Sequence, residues 1–158
     1  MNEFISKKIG EVLAFSEIGI ETIEKTRDTL KPEVEETFVL DILEKNQLHA
    51  EELRKIASEN NIIETVEAKQ GETGGKLRQM RDMYIDEKWN SPSHIFEWML
   101  FFEGAAYGHW ALIKGAGESA NREDLILLAE EAMNFHHETL EKVVSELEQV
   151  GMDKGDEN

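Results

Sequence analysis

Apolar residues recur every three to four positions over four long stretches of the chain. From Asn2 to Leu30 the line runs through Ile5, Ile9, Val12, Ile20 and Ile23, with Ser16 among them. This is the period of an amphipathic helix that buries one face. Leu30-Lys31-Pro32 closes it, and Pro32 is expected in the first turn of a second helix reaching Glu59, whose stripe holds Val39 or Phe38, Ile42, Leu53 and Ile56. Asn90-Ser91-Pro92-Ser93 opens a third helix in the same way, predicted over 92–115 and ending at the glycines Gly115 and Gly117. Asn121 is a good N-cap for a fourth helix over 122–150, and Gly151 is its natural stop.

The pattern therefore predicts an all-α domain over 1–151, with helices at about 2–30, 32–59, 92–115 and 122–150 and a flexible tail over 152–158. Helices of this length are about 40 Å long. The first two and the last two are joined by short turns, which makes two antiparallel hairpins. The connection 60–91 is far longer. Its segment Lys69–Lys76, with Gly71, Gly74 and Gly75, is expected to be a loop, and Lys76–Trp89 allows a short helix. Such a connection can return along the whole bundle and give the third helix the direction of the second.

Two stripes carry polar residues where apolar ones are expected. Asn46 and His49 sit one turn apart on the second helix, and Asn134 and His137 on the fourth. Ser16 precedes Asn46 by almost the same interval as Glu103 precedes Asn134, so the two halves superpose Ser16 on Glu103, Asn46 on Asn134 and His49 on His137. On the fourth helix the assigned inward line is Ile126, Glu130, Met133 and His137.

At these residues the chain resembles the ferritin-like superfamily, in particular its rubrerythrin-type di-iron domain. That pattern has a glutamate followed by a glycine one turn on, then Glu-x-x-His, and the same set again. "SEIGIETIEKT" resembles the first part, with Gly19 in place and Ser16 where the glutamate belongs. "LEKNQLHAEEL" has Asn46 for the glutamate and keeps His49. "FFEGAAYGHW" keeps Glu103, and "MNFHHETLEKV" has Asn134 for the glutamate and keeps His137. The resemblance spans residues 5–150 and implies a ferritin-like four-helix bundle, two hairpins joined by a long crossover, with oxygen or peroxide redox chemistry at iron.

Three of the four carboxylates of that pattern are replaced. Two divalent ions held about 4 Å apart repel by something like 17 kcal/mol even at an effective dielectric near 20. Ser16, Asn46 and Asn134 cancel none of that charge, so a di-iron centre is disfavoured. Two readings remain. In one, His49, His137 and Glu103 hold a single iron, zinc or manganese ion, with Asn46 or Asn134 as a neutral ligand and Glu130 as a fourth ligand or the orienter of His137. Ser16 and Tyr107, one turn from Glu103, then stand behind the ligands. In the other there is no metal: the amides and imidazoles satisfy one another, Glu103 pairs with a histidine, and the fold serves assembly or small-ligand binding. A catalytic residue cannot be named in either.

Composition narrows the partners. With 34 acidic against 17 basic residues the net charge is −17, which disfavours nucleic acid and anionic lipid. There is no cysteine, which excludes disulfides and thiolate-bound metal centres. Any redox role would need an external electron donor. No run approaches membrane-spanning length and the N-terminus has no leader pattern, so a cytoplasmic location is expected. His94, His109 and His136 are assigned off the inward stripe, and Trp110 to the core. "EWMLFFEGAAYGHWALI" is apolar around more than one face, which predicts a homodimer through this helix unless the crossover covers it.

Overall fold

The computed structural model describes residues 1–157; Asn158, the end of the predicted tail, lies outside the described residues. Five helices follow one another: α1 Glu3–Leu30, α2 Glu36–Glu59, α3 Ile63–Ile85, α4 Pro92–Ala120 and α5 Glu123–Gly155. Among the described residues there is no strand, and no helix is long and apolar enough to cross a membrane.

The termini follow local chemistry. Asn2 caps α1, its side chain accepting from the Ile5 amide at 2.9 Å. Pro32 is in the turn after α1 rather than in α2, where the Glu33 and Val34 amides both bond the Leu30 carbonyl. α2 consequently begins at Glu36 and not at residue 32. Asn121 does not cap the last helix. It terminates α4 in the left-handed region at φ 52°, a place asparagine tolerates. α4 therefore runs past Gly115 and Gly117 to Ala120, and α5 past Gly151 to Gly155.

The largest correction is α3. The segment Lys69–Lys76 is helical throughout, despite three glycines. Packing overrides propensity here. Gly10 of α1 makes the room: a Cβ added there would stand 2.6 Å from the Val66 carbonyl oxygen and 2.7 Å from the Lys69 Cβ. Val66, Gly74, Leu77, Arg81 and Ile85 form the buried stripe. Polar contacts finish the seam. Glu17 bonds Gln70, and Glu21 takes Arg78 at 2.9 Å and the buried Arg81 at 2.8 Å.

Residue contacts give the directions. α3 runs parallel to α1, with Gly10 beside Val66, Glu21 beside Arg78, and the Thr29 hydroxyl donating to the Trp89 carbonyl at 3.1 Å. α2 is antiparallel to α1, with Gly19 against Asn46 and Arg27 paired to Glu36. α4 is antiparallel as well, pairing Glu11 with His109 and Phe15 with Phe102. α2 and α4 thus point the same way, and α3 is the connector that makes this possible. α5 returns against α4 and also touches α2. One apolar cluster holds Ile9, Leu53, Trp110, Ile113 and Leu125, and another holds Ile23, Leu30, Ile95, Phe96 and Val143. A polar layer separates them.

A candidate site in the buried polar layer

Each helix except α3 contributes to that layer at the level where its apolar stripe is interrupted. Ser16 of α1, Asn46 and His49 of α2, Glu103 of α4 and His136 of α5 are all buried. Gly19 leaves space for the Asn46 amide: a Cβ there would stand 3.1 Å from Nδ2. Ser16 donates to the Val12 carbonyl at 3.1 Å and Asn46 Nδ2 to the Ile42 carbonyl at 2.8 Å, so both are tied to their own helices.

Two histidine–carboxylate pairs cross between helices. With Glu103 ionised, His136 Nδ1 donates to its Oε2 at 2.6 Å. His49 Nε2 donates to Oε2 of Glu131 at 2.5 Å, and Lys45 reaches the other oxygen of Glu131 at 2.6 Å. Burial pushes the His49 imidazole below the ordinary histidine value, and the contact with Glu131 offsets only part of this. Burial also raises the Glu131 carboxyl, but the bonds from Lys45 and His49 outweigh it and hold the group below the usual glutamate value.

The rings of His49 and His136 are 6.2 Å apart, and His49 also meets Trp110 and Phe135 edge-on. His49 Nδ1, His136 Nε2 and Asn46 Oδ1 are buried without a hydrogen-bond partner. A carboxylate on one ring nitrogen fixes the tautomer of a neutral imidazole and leaves a lone pair on the other. The layer therefore presents two oriented imidazole lone pairs and one amide oxygen.

The predicted ligands divide. His49, Glu103, Asn46 and Ser16 lie in the layer, but the outward half of α5 carries the rest. His137 is exposed and near Glu141 at 3.8 Å. Asn134 and Glu130 are exposed too, Glu130 pairing with Lys114 at 3.2 Å. Tyr107 lies at the surface with its ring against His137. The inward line of α5 is Leu125, Ala129, Ala132, His136, Thr139 and Val143, one residue round from the expected one. His136, expected off the inward stripe, is therefore buried in it. The signal for it was present: the line through Ala129 and Ala132 carries no charge, whereas its rival contains Glu130. Glu131, half-exposed, gave no such signal. His94 bonds Ser91 at the start of α4, and His109 bonds Glu11 at 3.2 Å, both away from the layer.

Among the described residues no group of three or more histidine, aspartate or glutamate side chains is disposed to hold a metal ion. Beside Glu131 the seam between α2 and α5 opens as a groove of about 380 Å³, floored by Phe38, Ile42 and Phe135 and edged by Asp41, Lys45, Glu138 and Lys142. Comparisons with family models, with curated proteins and with solved structures found no match to this chain.

Proposed function

We propose that this is a ferritin-like bundle without di-iron chemistry, kept as a scaffold for assembly and for binding a small ligand. The observation that carries the reading is the Glu103–His136 pair. The only fully buried carboxylate of the layer faces a histidine of α5, while His137, the ligand expected from the family pattern, faces outward. A layer with one buried carboxylate and the half-exposed Glu131 cancels too little of the mutual repulsion of two metal ions to suit a di-iron centre. The groove between α2 and α5, with its apolar floor and charged groups of both signs at its edge, is where such a ligand would bind. The test is metal analysis of protein purified without chelator, with oxygen and peroxide consumption after addition of ferrous iron. Turnover is expected at the rate of free iron. Turnover that depends on Glu103 would overturn the reading.

The unpartnered atoms favour a second reading, a single ion held by His49 Nδ1, His136 Nε2 and Asn46 Oδ1. Such a donor set suits one borderline ion such as zinc or ferrous iron. It predicts about one equivalent per chain, with a raised melting temperature on metal addition. Both effects should vanish in His49→Ala and His136→Ala and persist in His137→Ala.

A further inference from the structure

On a chain of net charge −17, the outer face of α4 carries no charge over four turns. On this face the exposed positions from Phe101 to Gly115 are uncharged: Phe101, Gly104, Ala105, Gly108, Ala111, Leu112 and Gly115. The one charged side chain of the stretch besides the buried Glu103, Lys114, is about a third exposed and turns toward α5, where it pairs with Glu130. Phe101 is 57% exposed and Leu112 45%. α3 packs chiefly on α1 and meets this face near its Phe101 end, through Tyr84.

The order of side chains along the face is symmetric. Phe101, Ala105, Gly108 and Leu112 follow at intervals of four, three and four, the seam spacing of packed helices. Read in either direction, the series is large, small, small, large. We infer that this face binds a second copy of the chain, with α4 antiparallel to α4 about a twofold axis between Ala105 and Gly108. Phe101 then meets the partner's Leu112, and Ala105 meets the partner's Gly108. Such self-complementarity is what a twofold interface requires. The small central residues let the two backbones approach, and the bulky ends close the contact.

Charge selects this occupant over others. Two copies of so acidic a chain repel one another through most of their surface, and this face is where the repulsion is least. A basic partner would be drawn instead to the acidic faces. A bilayer would not use the hollow between Phe101 and Leu112. On α3, Tyr84 lies 5.2 Å from Phe101 and Met80, one turn earlier, is 57% exposed, which extends the apolar area. Phe101, Leu112, Tyr84 and Met80 are each only about half exposed and the residues between are small, so the patch is smaller than the roughly 800 Å² per copy of a standard stable interface. The dimer is accordingly reversible.

Sedimentation equilibrium of the full chain at rising concentration should show a monomer–dimer equilibrium. Gly108→Glu should abolish dimerisation without loss of helicity, because a Cβ at Gly108 meets nothing within 4 Å. The double variant Ala105→Lys/Gly108→Glu should restore it, since each lysine faces the partner's glutamate. The chain has no cysteine of its own. Mixing Ala105→Cys with Gly108→Cys chains should therefore give mainly the mixed disulfide. A chain that stays monomeric at high concentration, a dimer indifferent to Gly108→Glu, or preferential cross-linking of Ala105→Cys to itself would each overturn the inference. It does not depend on how the buried layer is used.

Discussion

Glu103 of α4 and His136 of α5 meet at 2.6 Å inside the molecule, both side chains almost wholly shielded from water. This pair ties together the two helices that share the most extensive packing. Removing one member of a buried hydrogen-bonded pair leaves the other polar group buried without its partner, which costs about 1–3 kcal/mol, more where the group left behind is a carboxylate. Glu103→Ala and His136→Ala should each lower unfolding stability by that order in urea titrations. Glu103→Gln keeps an acceptor for Nδ1 and should cost distinctly less. A double-mutant cycle showing no coupling would remove the pair from the account.

The two adjacent histidines of α5 should behave oppositely. His137 is exposed, with a long contact to Glu141 and its ring beside the surface Tyr107, so His137→Ala should change stability by no more than about 0.5 kcal/mol. Equal losses for His137→Ala and His136→Ala in the same titration would contradict the orientation of α5.

Stability should fall with acid. Burial depresses the His49 value in the folded state, so the unfolded chain takes up a proton first as pH drops through the ordinary histidine range near 6.5. Glu131, also depressed, adds to the loss in the carboxylate range below its ordinary value of 4.5. Both signs agree. The slope contributed by one histidine cannot exceed about 1.4 kcal/mol per pH unit. Thermal melts between neutral and mildly acid pH should show this decline, and His49→Gln should flatten it.

The helical state of α3 can be tested at its glycines. Gly71 and Gly75 face open space, so alanine at either should raise stability by about 0.5–1 kcal/mol, as in any solvated helix. Gly10→Ala should do the reverse, by about 1–3 kcal/mol, because its Cβ would press on the Val66 carbonyl and push α3 away. Neutral outcomes at all three positions would mean that the segment is a loose connection.

Much of this was legible in the chain. Periodicity located α1, α2, α4 and α5, and the interruptions of those stripes at Ser16, Asn46, His49 and Glu103 marked the level of the polar layer. α3 was not legible over Lys69–Lys76. Its buried face there includes Gly74 beside partly covered Lys69, Gln70 and Thr73, residues that pack only because Gly10 and Glu17 lie opposite.

The sequence by itself determined that the chain is helical, that its centre would hold histidine and a lone buried glutamate, and that one helix would be apolar beyond a single stripe. Local spacing suffices for that, because a helix has one period and burial selects its apolar line. Only the tertiary structure decided which line of α5 turns inward. Two lines one residue apart differ by about 100° of rotation, and the choice between His136 and His137 rests on the packing that buries Ala129 and Ala132 in one cluster with Trp110 and Ile113 of α4. The uncharged line through Ala129 and Ala132 hints at the answer within α5, but the packing of another helix fixes it.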